Sequence, residues 1–154
     1  MPRARSTNWR SPSDRVPTIK SIETLIVQLP TRREHKWTGL TEVIGRYLIV
    51  KMTDSDGRVG WGEAPALKDW GGEFGRYFGE SALIARAVIE NYLAPAVLGI
   101  ELGNFAELHA RMDAIIRGYP YSKAAVEFAA YDLAGRWLNV PVHTLLGGKA
   151  RALM

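Results

Sequence analysis

Arg32, Arg33, His35 and Lys36 crowd cationic or protonatable side chains into residues 32–36. Such a cluster suits an anionic ligand, above all a carboxylate, because donors that carry charge form shorter and stronger hydrogen bonds than neutral ones. Read on its residues alone, the same cluster is more simply a solvated loop of ordinary charges. Farther along, Trp70, Phe74 and Tyr77 lie among Gly71, Gly72, Gly75 and Gly79. Rings held on such a segment can keep water away from a reacting carbon, which strengthens the electrostatics there. They can also simply pack on a sheet.

Other residues invite chemistry and do not support it. Glu63 ends a strand-like run, but one carboxylate without partners cannot hold Mg²⁺, so a structural hydrogen-bonding role is expected. His109 and His143 have no second ligand at metal spacing. Ser122 and Lys123 resemble a nucleophile and base, yet a serine at a helix start reads as a cap, and Lys123 has Glu127 four residues on as an ion-pair partner. With no cysteine, disulfides and thiolate metal sites are excluded. No residue is assigned a catalytic or metal-binding role.

The elements that must position these residues follow from pattern. Ile19 to Leu29, closed by Pro30, reads as a first strand, and Pro30 to Leu40 as the loop after it. Tyr47 to Thr53 and Val59 to Ala64 form a hairpin about the turn Asp54-Ser55-Asp56-Gly57. Gly60 and Gly62 flank Trp61, leaving room for another backbone to approach. Pro65 to Glu80 is too irregular for a strand and too rich in glycine for a helix, so it is a long loop. A helix runs from Ser81 to Leu93, ended by Pro95. A second begins at Asn104, with Glu107 in a capping-box-like position, and presents Phe105, Leu108, Met112, Ile115 and Ile116 on one side until Gly118 and Pro120 stop it. A third runs from Ser122 to Leu138, pairs Asp132 with Arg136, and keeps thin sides with Ala124, Ala125, Ala129, Ala130 and Gly135. Strands first and helices after give an α+β fold, a three-stranded antiparallel sheet under a helical layer.

The 154 residues, 47% of them hydrophobic, suit one globular domain with a tail, and no run approaches a membrane-spanning length. The formal charge of +4 lies in residues 1–20, where Arg3, Arg5, Arg10, Arg15 and Lys20 face only Asp14. The remainder is neutral, so most of the basicity belongs to a leader of residues 1–18, expected to be disordered, rather than to a nucleic-acid-binding face. The leader has no apolar core of a secretory signal. No membrane or nucleic-acid partner is expected, and the location is expected to be cytoplasmic.

Three motifs occur together in order: Gly60-Trp61-Gly62-Glu63-Ala64, the helix from Lys123 to Gly135, and the run Val140-Pro141-Val142-His143-Thr144-Leu145-Leu146-Gly147-Gly148. With them, residues 19–151 resemble the N-terminal capping domain of the mandelate racemase and muconate lactonizing enzyme group within the enolase superfamily. Leu29 to Lys36 is similar to the corresponding loop of muconate cycloisomerases. The resemblance implies that this domain closes the mouth of a following (β/α) barrel and that two loops reach over a small carboxylate substrate. By position these carry Thr31, Arg32, His35, Lys36 and Trp37 on the first, and Lys68, Trp70, Phe74 and Tyr77 on the second. The barrel would hold Mg²⁺ and the acid/base lysines that remove a proton beside a carboxylate.

A barrel needs about 250 residues, so this chain is expected to be the capping portion of an isomerase or lyase (cycloisomerase, racemase, epimerase or dehydratase), inactive by itself, with residues 152–154 as a stub of the barrel. Its expected partner is the barrel, and it is expected to expose an apolar face and self-associate without it. The alternative is a stand-alone, non-catalytic binding module.

Overall fold

The computed structural model describes residues 15–30, 46–65 and 80–149. Three strands, β1 (Ile19–Gln28), β2 (Arg46–Asp54) and β3 (Val59–Pro65), form an antiparallel sheet in the order β1-β2-β3. Leu48, Val50, Met52 and Asp54 alternate to one face of β2 and are wholly buried, the period of two expected of a half-buried strand. The hairpin is tied by Asp54: its Oδ1 accepts from the backbone N–H groups of Asp56 (2.9 Å) and Arg58 (2.8 Å), while Gly57 supplies the left-handed turn position at φ 86°. Asp56 and then Asp54 hold the Arg58 guanidinium above its ordinary pKa by hydrogen bonding.

The helical layer covers that face. It comprises α1 (Ala82–Val88), a π turn (Ile89–Leu93), α2 (Ala94–Val97), α3 (Phe105–Ile115), α4 (Pro120–Leu138) and the short α5 (Val142–Leu145). The longest, α4, lies against β3 and β2 with Ala125, Val126, Ala129, Ala130, Leu133 and Ala134 buried. Small side chains there let helix and strand backbones meet. A Cβ placed on Gly62 would stand 1.9 Å from the Ala125 carbonyl oxygen, and one on Gly60 2.3 Å from that of Ala129. The approach expected from Gly60 and Gly62 is therefore made by α4.

Pro95 does not end its helix. The chain continues helically to Val97 because residues 89–93 widen into the π turn, where the Ala94 N–H reaches the Ile89 carbonyl five residues back. Proline has no N–H and its ring collides with the carbonyl four residues earlier in a regular helix; one wider turn removes both problems. Pro120 likewise starts α4 rather than stopping α3. Its fixed φ suits the first helical position, where its absent N–H is no loss. On α3 only Leu108 and Met112 are fully buried. The helix ends at Ile115, so Ile116, extended at φ −152°, turns back to the core and Ile115 is left exposed.

Pro17 and Thr18, read from sequence as the end of the leader, belong to the fold. The Pro17 carbonyl accepts from Leu102 N–H, and Thr18 pairs with Ser55 and forms a bridge to Glu101. Deleting residues 1–18 is therefore expected to lower Tm by roughly 5 °C, the worth of two or three backbone hydrogen bonds in a domain this size. Calorimetry on the shortened chain measures it, and an unchanged Tm would refute it.

Candidate functional site: the loop end of the sheet

The register puts Gln28 opposite Arg46 and Tyr47 opposite Pro65. The segments 31–45 and 66–79 thus both depart from one end of the sheet, the end away from the Asp54–Val59 turn. Because α4 runs antiparallel to β3, with Ala125 over Gly62 and Ala129 over Gly60, its N-terminus lies at this end too. The candidate substrate-covering residues, Thr31, Arg32, His35, Lys36 and Trp37 on the first segment and Lys68, Trp70, Phe74 and Tyr77 on the second, lie outside the described residues.

The second segment ends on Glu80, which is 1% exposed. Its Oε1 accepts from the Tyr121 N–H at 3.0 Å, and its Oε2 accepts from the Ser122 N–H at 2.8 Å and the Ser122 hydroxyl at 2.6 Å. A carboxylate at a helix N-terminus meets unpaired N–H groups and the positive end of the helix dipole. Ser122 is therefore not the cap expected of it. The residue at the cap position is Tyr119, left-handed at φ 54° and without a side-chain cap bond, and Ser122 donates to a carboxylate 42 residues earlier in the chain.

Sequence reasoning passed over Glu80. The one available signal is local to α4: a helix opening on Gly118-Tyr119-Pro120 has no capping side chain of its own, so an acceptor must come from elsewhere. In contrast, Ser81 caps α1 as its type and place foretell, accepting from Ile84 N–H at 3.2 Å.

Several of the other polar side chains singled out in the sequence have structural partners. Lys123 pairs across helices with Asp113 at 2.6 Å rather than with Glu127, and Glu127 meets His109 at 3.1 Å. Helix-to-helix partners win because Lys123 and Glu127 lie along the seam where α3 crosses α4. The hydrogen bond from Lys123 holds the Asp113 carboxyl below its ordinary pKa. Asp132 pairs with Arg136 as expected and also accepts from Trp61 N–H at 2.9 Å, joining α4 to the edge strand β3. Glu63 pairs with Ile49 in the sheet, but its side chain is exposed and has no hydrogen-bond partner among the described residues, so the side-chain hydrogen-bonding role expected of it is not seen. His143 lies on α5, where its carbonyl accepts from Gly148 N–H.

Among the described residues, no three His, Asp or Glu side chains converge as a metal site, and no helix is long and apolar enough to cross a membrane. Several large apolar side chains face outward, among them Leu25, Leu83, Phe128 and Leu146, at 54% exposure or more.

Known proteins share this arrangement. Residues 21–147 match the model of the mandelate racemase / muconate lactonizing enzyme N-terminal domain. A chloromuconate cycloisomerase of Cupriavidus necator is 37% identical over 135 residues, 86% of this chain and 34% of that protein. Muconate cycloisomerase 1 of Rhodococcus opacus is 34% identical across 87% of this chain and 35% of its own length. The crystal structure of a muconate lactonizing enzyme from Pseudomonas fluorescens in complex with muconolactone superposes with a TM-score of 0.79 at 34% identity, covering 89% of this chain and 36% of that one. The chain thus spans about a third of the length of the relatives it matches. Fold, motif order and identity agree: this chain belongs to the mandelate racemase / muconate lactonizing enzyme family of the enolase superfamily, by its N-terminal domain.

Proposed function

We propose that the chain is the substrate-capping portion of a Mg²⁺-dependent enzyme of the muconate cycloisomerase type, which removes or adds a proton beside a carboxylate. The observation that carries this reading is the departure of segments 31–45 and 66–79 from one end of the sheet, beside the start of α4, in a domain of this family. Its partner is a C-terminal (β/α) barrel, seated against part of the exposed apolar surface, Leu146 included. The described residues offer no group of three carboxylate or imidazole side chains that could hold Mg²⁺, and this reading assigns the metal to the barrel.

His35 and Lys36 then meet the substrate carboxylate by charge-assisted hydrogen bonds, with Arg32 and Thr31 nearby, and Trp37, Lys68, Trp70, Phe74 and Tyr77 complete the cover. On this reading the acid/base and metal groups lie in the barrel, and the 154 residues by themselves are expected to turn over no muconate. In the full-length protein, His35→Ala and Lys36→Ala are each expected to raise KM for muconate or chloromuconate about tenfold with kcat little changed, the signature of lost binding that is equal in ground and transition states. Steady-state kinetics across both substrates decides it: unaltered KM in both variants removes the cluster from the site.

A further inference from the structure

The sheet has a second face, turned away from the helical layer, and it is more apolar than a solvated face should be. After Arg46, β2 carries four apolar residues in a row, 47–50; Leu48 and Val50 turn inward and are wholly buried, while Ile49 looks outward. A sheet wetted on one side alternates apolar with polar residues, and a strand that is apolar on both sides belongs to a sheet covered on both. The neighbouring strands agree. Leu25 lies across from Ile49, and Trp61 across from Lys51, on this outer face, at 58% and 48% exposure.

The charges among these apolar residues are unevenly served. Lys51 Nζ holds Glu23 across the strand pair at 2.9 Å, which uses one of the three donors of an ammonium group. Glu63, opposite Ile49 on β3, has no side-chain partner among the described residues. Lys51 and Glu63 are diagonal neighbours that do not meet each other. The face therefore presents a cation with donors to spare beside an anion without a donor.

We propose that this face is an isologous interface, on which the outer sheet face of a second copy of the chain packs so that Lys51 of each copy reaches Glu63 of the other. A two-fold axis between the faces, running along the Ile49–Trp61 diagonal, exchanges Lys51 with Glu63, so each copy supplies what the other lacks. Ile49 and Trp61 then meet their own counterparts near the axis, with Leu25 beside Ile49. A partner without this symmetry would need only one of the two charges answered. The proposed barrel lies elsewhere, because α5, which leads toward it, packs on α4 on the other side of the sheet. Three strands about 4.8 Å apart, over the seven residues of β3, give a face of roughly 350 Å² per copy, about 700 Å² for the pair and below the ~1,200 Å² of a stable interface, so the dimer is a reversible one. Such an assembly is independent of the reaction the barrel performs.

The test is sedimentation equilibrium of the full-length protein over a dilution series, with Lys51→Glu, Glu63→Lys, an equal mixture of those two variants, and Leu25→Lys. Either charge reversal sets like charges together twice in the symmetric pair and is expected to weaken association about tenfold or more. Mixing the two variants is expected to restore it, because every reversed charge then faces its opposite, a rescue that damage to either fold cannot produce. Leu25→Lys alters a side chain that the fold leaves in water, is expected to weaken association by about tenfold as well, and carries the test if a reversal fails to fold. Three results would overturn the interface: a wild-type protein that stays monomeric throughout the series, variants that associate as the wild type does, as they would with the barrel covering this face, or a mixture of folded reversals that does not recover.

Discussion

Replacing Gly62 by alanine is expected to cost about 3 kcal/mol or more, the upper end of what overpacking does to a domain. The new methyl group would stand 1.9 Å from the Ala125 carbonyl oxygen and 2.8 Å from the Ala129 amide nitrogen. Both obstacles are helix backbone, so no side-chain rotation relieves them. Either α4 lifts from the sheet or β3 bends. Lifting α4 opens the contacts of Leu133, Val126 and Ala129 together, a large share of the roughly 5–15 kcal/mol that holds a domain folded. Bending β3 displaces its neighbours in the sheet, β2 above all, and loosens the core beneath it. Urea denaturation gives the stability change directly. A loss under about 1 kcal/mol would mean that strand and helix are farther apart than the structure has them.

Leu133→Ala is expected to destabilise by roughly 2–5 kcal/mol, with Tm falling on the order of 10 °C. Leu133 is wholly buried, and its Cβ lies 2.6 Å from where a Gly60 Cβ would be, so it fills the space the glycine leaves. Shrinking it empties a site that backbone on both sides prevents from collapsing. The informative comparison is Phe128→Ala, five residues earlier on the same helix and 56% exposed. In the chain by itself that change should stay within about 0.5 kcal/mol. Thermal melts of the two variants side by side test the pair, and a Phe128→Ala loss equal to that of Leu133→Ala would show that the outer face of α4 is covered already.

Much of the fold was legible because its signals are local. Alternation in β2, the Asp54-to-Gly57 turn, and the Asn104 cap, which accepts from Glu107 N–H at 3.3 Å, each depend on neighbours within a few residues. The paired glycines around Trp61 announced a close approach, although nothing local said which backbone would come. The two prolines were misread for a related reason. Proline ends a helix only where its missing N–H and its ring have no accommodation. A π turn at Ile89–Leu93 accommodates Pro95, and a helix start accommodates Pro120. Ion pairs at helical spacing divided in the same way: Asp132 with Arg136 forms within α4, whereas Lys123 and Glu127 turn to Asp113 and His109 on α3.

The sequence by itself determined the element types, the sheet-then-helices order and, through motifs spread from Gly60 to Gly148, the family. Tertiary structure decided what lies together in space. It brought the starts of both connecting segments to one end of the sheet, since β1 and β3, each antiparallel to the β2 between them, run in the same direction and finish at the same end. It also gave Glu80 its place. A carboxylate that ends a long segment has no local pattern to mark it, and only the packing of α4 on β3 carries two unpaired N–H groups to where that charge is buried. Hydrogen-bond demand is written into each element, but which distant residue meets it depends on how the elements pack.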